Sequence, residues 1–305
     1  MNLFAPPAQV PAHVFARLPD HFRKSVRTDW ADANKAGALV DCFLEGPSFD
    51  REGRLYVTDI PHGRVFRIAP DATWTLVTEY DGWPNGLKIH RDGRIFITDY
   101  KHGIMLLDPA SGAVTPLLTH RHSESFRGVN DLVFADNGDL YFTDQGQSGW
   151  QEPTGRVFRL GADGRLDRLI NTVPSPNGIA LNPEQTIVYV AVTRANAVWR
   201  MPLMPDGQVS KVGTFIQLSG SLGGPDGLAV DAEGGLLVAH PGLGVWRFDR
   251  LGRPTHHIEP EGSAFITNLA FGGPDMRSVF MTESHTGQVL RAELPVPGYI
   301  PSARL

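Results

Sequence analysis

The sequence predicts an all-β chain folded as a six-bladed β-propeller of four-stranded antiparallel blades. Three observations carry that expectation. A motif recurs six times at propeller spacing, turn dipeptides cut each copy into strand-length pieces, and helical periodicity is scarce beyond the first 40 residues.

The copies begin at Glu45, Asn85, Asn130, Asn177, Asp226 and Asn268, so successive intervals are 40, 45, 47, 49 and 42 residues. A four-stranded propeller blade has that length and a helical repeat does not. The first copy reads Glu45-Gly46-Pro47-Ser48-Phe49, then Gly53-Arg54-Leu55-Tyr56-Val57-Thr58-Asp59. Copies two and three repeat it closely, ending at Thr98-Asp99 and Thr143-Asp144. A second column follows the leading residue by 14 positions at Asp59, Asp99, Asp144 and His240, and by 15 at Val192 and Glu283. The turn signal lies midway, so a hairpin folded there brings both columns to one end of the propeller.

One loop stands out. From the second column to the next strand signal is 4 residues in five copies but 11 in the third, from Asp144 to Gly155. The surplus lies within residues 145–153 and includes Trp150. It reads either as a surface insertion or as a lid placing Trp150 over substrate.

Ahead of the first copy, residues 1–37 form a short arm and 38–305 a single propeller domain. His13–Leu18 reads as a short helix. A strand over residues 38–43 is expected to close the last blade and remove an exposed edge.

Charge and composition exclude several function classes. The chain has 28 Lys+Arg against 33 Asp+Glu, a net charge of −5 with no basic block, which disfavours nucleic acid and anionic membrane as partners. Cys42 is the single cysteine, so there is no internal disulfide and no thiol pair for zinc or redox work; it reads as a buried apolar residue. Met1–Ala12 lacks a basic segment followed by about 7–15 apolar residues, and no stretch nears the ~20 needed to span a bilayer, so a soluble cytoplasmic protein is expected. No G-x-S-x-G, H-E-x-x-H or P-loop occurs. Nothing in the pattern bears on oligomeric state.

The six leading residues ring one mouth of the channel, and all carry oxygen: two carboxylates and four amides. Hard divalent cations take such donors, and two carboxylates among neutral amides balance one divalent charge. The competing reading is that Asn-Gly and Asp-Gly simply repeat turn chemistry. Ca²⁺ is the first expectation for the ion, with Mg²⁺, Mn²⁺, Zn²⁺ and Fe²⁺ also compatible.

Leu44-Glu45-Gly46-Pro47, Pro84-Asn85-Gly86-Leu87, Val129-Asn130-Asp131-Leu132, Pro176-Asn177-Gly178-Ile179 and Pro225-Asp226-Gly227-Leu228 resemble the SMP-30/gluconolactonase family over residues 40–294. The resemblance implies one divalent cation held by Glu45, Asn177 and Asp226, with Asn130 as a fourth or water-mediated ligand. It implies hydrolysis of a small, sugar-derived lactone, with Asp226 as the base. Whether Asp226 takes the proton, or only orients water that the cation acidifies, stays open. Asn130, Asn85, Arg127, Trp150, His240 and Glu283 are the candidate substrate-binding residues, and Trp83, Arg194 and Ser221 further candidates for the pocket wall. His120, His122, His256 and His257 read as solvated loop histidines. A phosphotriesterase-like or other ester hydrolase on the same site, and a non-enzymatic propeller with a structural metal, are the alternatives.

Overall fold

The computed structural model describes residues 5–302; residues 1–4 of the expected arm and 303–305 of the expected propeller range lie outside the described residues. The fold is all-β and propeller-like. Four sheets are four-stranded, and their first strands are Leu44–Phe49, Pro84–Ile89, Val129–Phe134 and Pro176–Leu181. The remaining blade strands make one eight-stranded sheet running from Leu228–Val230 at one end to Ile266–Gly272 at the other. Six separate four-stranded sheets were expected; four are separate. The first strands lie side by side in a closed circuit, each beside the next and Ile266–Gly272 beside Leu44–Phe49.

The strand that joins the eight-stranded sheet is Ala8–Arg17. Its first half pairs parallel with Pro254–Pro260, from Ala8 opposite His256 to Ala12 opposite Pro260. After that it pairs antiparallel with Gln288–Glu293, from His13 opposite Arg291 to Arg17 opposite Gln288. This corrects two expectations. His13–Leu18 is not a helix, and residues 38–43 do not close the last blade. Ala12 and Ala16 alternate inward with exposed neighbours, a half-buried strand pattern, and their small side chains fit against cores already filled by Ile258 and Phe280. Residues 38–43 make only an isolated bridge, Val40 to Val26, before the first strand starts at Leu44.

Register bears out the hairpin inference. Leu44 faces Asp59, Pro84 faces Asp99, Val129 faces Asp144 and Pro176 faces Val192, so both columns share one end. Each of these ladders then slips by one residue, at Gly46-Pro47, Asn85-Gly86, Asn130-Asp131 and Asn177-Gly178. A bulge of this kind bends the strand and re-aims its side chain, here at the leading position. The following glycine is a packing requirement: a Cβ on Gly178 would lie 2.3 Å from the Asp226 carbonyl oxygen.

A tie between neighbouring sheets repeats with the motif. The Thr58 hydroxyl donates to the Asn85 carbonyl at 2.6 Å and Thr143 to that of Asn177 at 2.7 Å, while Thr98 donates to that of Asn130. A comparable bond joins the last copy to the first, from the Ser284 hydroxyl to the Leu44 carbonyl at 2.6 Å. Each threonine of a Thr-Asp pair thus fixes the backbone of the next sheet's leading residue. Thr143→Val is expected to lower unfolding stability by about 1–3 kcal/mol, because buried polar partners lose their bond. An unshifted urea midpoint would remove the tie from the account of stability.

The C-terminal segment packs beside the far ends of the first strands, where Tyr299, Ile300 and Pro301 share a cavity with Leu181, Val230 and Phe271. Gly298 bridges Asp231, and the Tyr299 hydroxyl meets both Asp136 carboxylate oxygens and the Gln185 amide. Cys42 is a buried free thiol, as expected. His257 departs from the solvated reading: it lies on the strand Pro254–Pro260, buried and stacked 3.9 Å over Trp246. His120 and His122 are exposed. Among the described residues no helix is long and apolar enough to cross a membrane.

Candidate active site

At the end where both columns meet, a cavity of about 310 Å³ opens. Glu45, Asn85, Asn130, Asn177 and Asp226 line it. Five of the six leading residues therefore converge, though up to 181 positions separate Glu45 from Asp226 in the chain. Asn268, the sixth, stands behind the wall and donates its amide to Glu45 Oε2 at 2.9 Å, while the Gly46 N–H donates to the same oxygen at 3.0 Å.

The remaining donors are set by their neighbours. Asn130 Nδ2 donates to Gln145 Oε1 at 3.0 Å, which turns its own amide oxygen away from that partner. Gln145 is held in turn by Ser175, to which its amide donates at 2.9 Å. Burial drives Glu45 up to about 7, against the Gly46 and Asn268 bonds that favour its ionised form. Asp226 is raised well above the usual carboxylate range, first by its depth in the protein, then by the charges of Glu45 and Asp131. Lys35 and the Asn177 amide oppose that rise only in part.

That electrostatic picture bears on the expected metal. Two carboxylates facing one cavity resist ionising together, and a cation between them would remove the resistance. Glu45, Asp226 and the amide oxygens of Asn130 and Asn177 therefore fit a hard divalent cation in donor type and charge. The carboxylate count is two, and among the described residues no three His, Cys, Asp or Glu side chains gather into a metal-holding group. Amides must supply the rest.

The other sequence candidates fall elsewhere. Arg127 is exposed and reaches the Thr154 carbonyl at 3.3 Å, outside the cavity wall. Trp150 is 67% exposed and also outside it. The long loop reaches the rim through exposed Gln147, whose amide meets the Tyr100 hydroxyl at 3.1 Å and Asn34 at 3.5 Å. His240 is buried behind the wall, with Nε2 3.1 Å from the Asn196 amide oxygen, and burial lowers it to about 4. Glu283 is also buried there, accepting from the Ser263 hydroxyl and the His285 and Thr286 N–H groups, so its carboxylate caps a turn. Trp83 packs on Tyr100 at 5.9 Å. Neither Trp83 nor Ser221 lines the cavity, and Arg194 does.

The arm supplies a wall the repeat pattern did not reveal. A helix at Asp29–Asn34 starts at Thr28, whose hydroxyl accepts the Ala31 N–H at 3.2 Å. It buries Trp30 and Ala31 against Ile60 and sets Trp30, Asn34 and Lys35 into the cavity. The signal was present: Thr28 followed by Asp29 and Trp30 is a helix-start pattern. Gln145, Tyr100 and Phe265 also line the cavity from turn and loop positions outside the leading column.

Comparison with known proteins bears on this site. Residues 43–285 match the model for the SMP-30/gluconolactonase/LRE-like region. Lactonase drp35 of Staphylococcus epidermidis is 31% identical over 229 residues, covering 70% of this chain and 69% of that protein. A gluconolactonase of Zymomonas mobilis is 28% identical over 272 residues, covering 79% and 76%. Among solved structures, regucalcin from Agrobacterium tumefaciens, described as a calcium-binding protein, superposes with a TM-score of 0.77 at 24% identity, covering 98% of this chain and 100% of that one. A gluconolactonase from Xanthomonas campestris gives a TM-score of 0.74 at 22% identity, covering 96% and 98%. At those identities the structural likeness speaks for the fold alone.

Proposed function

The chain belongs to the SMP-30/gluconolactonase/LRE-like family, and from that premise we propose that it is a lactonase, opening a small sugar-derived lactone to its hydroxy acid with the help of one divalent cation. The observation that carries the reading is the convergence of Glu45, Asn130, Asn177 and Asp226 on one cavity. The names of the lactonase and gluconolactonase relatives support the bond that is broken.

The proposed roles rest on the donor types that line the cavity and on the family resemblance. Glu45, Asn177 and Asp226 would hold the cation, with Asn130 as a fourth or water-mediated ligand. Once bound, the cation supplies Lewis-acid polarisation of the lactone carbonyl. Asp226, open to the cavity, takes the proton from the attacking water as it adds to the carbonyl carbon. The bond from that carbon to the ring oxygen then breaks, the ring oxygen takes up a proton, and a carboxylate and one proton leave. Asn85 stands where a substrate hydroxyl can bond its amide. Asn268 and Gly46 orient Glu45, and Gln145 orients Asn130. Ca²⁺ leads the candidates for the cation on its preference for oxygen donors.

We read the eight-stranded sheet as two blades sharing the N-terminal strand, which makes six blades in all. Residues 38–305 are then one propeller domain, to which the arm at 1–37 adds the shared strand and a cavity wall.

Elemental analysis of the purified protein is expected to find about one divalent cation per chain. Chelation is expected to lower proton release from glucono- and xylono-lactones at least tenfold, with recovery on adding back Ca²⁺, Mg²⁺, Mn²⁺, Zn²⁺ or Fe²⁺. Unchanged hydrolysis in metal-stripped protein would sink the metal-assisted reading.

A further inference from the structure

The cavity is floored by carboxylates and amides, yet two cationic side chains enter its wall: Lys35 and Arg194. Lys35 is held by aromatic faces. Its Nζ lies 4.5 Å from the centre of the Phe43 ring, 5.2 Å from Phe265 and 5.8 Å from Trp30. Ring faces attract an ammonium and fix where it sits, but they accept none of its three N–H bonds in the ordinary sense. Among the described residues Lys35 makes no salt bridge, although it feels the Asp226 charge.

Arg194 shares this condition. It sits on the single turn Thr193–Ala195, pinned by the Thr193 hydroxyl on the Pro225 carbonyl at 2.8 Å and by the Thr193 N–H on that of Ser175 at 3.0 Å. Its guanidinium is exposed and makes no hydrogen bond or ion pair among the described residues. The two cations lie near enough to repel each other. By contrast, the buried arginines of the sheets are matched: Arg64 with Asp59, Arg156 with Asp144 and Arg247 with Asp231. Two mutually repelling cations with unmet donors, on fixed backbone around one cavity, form a receptor for an anion.

We propose that the substrate is an anionic lactone, one that carries a carboxylate or phosphate in addition to its ring ester, and that Lys35 and Arg194 bind that group at the mouth while the ring ester faces Asp226. This rests on the lactonase reading and narrows it.

The test compares three probes: D-glucono-1,5-lactone, which is neutral; D-glucaro-1,4-lactone, which carries a carboxylate; and 6-phospho-D-glucono-1,5-lactone. Acid release is followed at neutral pH with the metal load held constant. The wild-type protein is expected to show kcat/KM at least tenfold higher for one of the anionic lactones than for the neutral one, and which one identifies the anion. Arg194→Gln and Lys35→Gln are each expected to reduce that anionic-to-neutral ratio at least fivefold. Raising the ionic strength is expected to reduce it as well, because exposed charges are screened. Arg194 is exposed on a pinned turn, so its variant keeps the fold even if Lys35→Gln disturbs the arm. A wild-type preference for the neutral lactone, or a ratio that Arg194→Gln leaves unchanged, overturns the proposal while leaving the lactonase reading intact. Failure to open any of the three overturns both.

Discussion

Asp226→Asn is expected to lower kcat/KM for lactone opening by on the order of 10²–10⁴-fold, the range a positioned general base contributes, or about 3–5 kcal/mol of transition-state stabilisation. Asparagine keeps the size of the side chain and one oxygen for the cavity, but it cannot take up a proton at neutral pH. The same change relieves a conflict in the resting protein. Asp226 is raised because it is buried and faces the charges of Glu45 and Asp131, so replacing it with a neutral amide removes like-charge repulsion. Thermal stability in the metal-stripped protein should therefore hold or rise while activity collapses. Near-wild-type turnover in Asp226→Asn would remove Asp226 as the base and leave it at most a ligand. A parallel fall in stability and activity would show a structural role in place of a chemical one.

Asp144→Ala carries the largest expected loss of stability, about 3–5 kcal/mol, because it strands a buried charge. Asp144 is fully buried and Arg156 is 6% exposed. One carboxylate oxygen accepts the Arg127 and Gly128 N–H groups at 2.8 Å each, and the other accepts Arg156 Nε at 2.5 Å. Alanine leaves two amides without partners and strips the guanidinium of its carboxylate, leaving it only the long bond to the Ser125 carbonyl at 3.5 Å among its hydrogen bonds. Urea unfolding reads the effect, with the slope expected to stay constant. The double variant Asp144→Leu with Arg156→Met is expected to recover part of the loss, since an apolar pair of similar size carries no desolvation cost. A single variant as stable as the double one would mean that water reaches Arg156 and that the pair is not sealed.

The contrast between Asp226 and Asp144 shows how far the repeat could be read. Spacing placed both columns at one end, and hairpin register confirms it. Residue type separated their tasks only for the leading column. Asp59, Asp99 and Asp144 are carboxylates close to the same mouth, yet they accept from Arg64, Tyr80 and Arg156 and serve the sheets. A carboxylate spent on an arginine five or twelve positions away and one open to a cavity look alike in a linear pattern. The difference lies in which partner the fold brings within hydrogen-bond distance.

His240 and Glu283 teach the same lesson. Both occupy the second column, but Asn196 and a turn of backbone N–H groups claim them. Arg127 precedes Asn130 by three residues and Trp150 lies within the long loop, yet neither lines the cavity. A loop of that length can present any of its side chains, and Gln145 is the one that lines the cavity, while exposed Gln147 bonds Tyr100. The arm was the largest omission. Its helix is shorter than two turns and its strand is half alanine and valine, so neither carries a strong periodic signal of its own, and both are stabilised by the surfaces they cover.

By itself the sequence determined the propeller class, the repeat boundaries and the ring of oxygen-bearing leading residues, because those rest on local periodicity and turn chemistry, which adjacent residues encode. The tertiary structure alone decided which strand would close the sheet, which of the polar side chains would be consumed by neighbours and which left facing the cavity. It also decided that Lys35 would be carried from the arm to meet Arg194 across the mouth. Those outcomes depend on contacts between residues far apart in the chain, where the free energy belongs to the pair brought together and not to either residue.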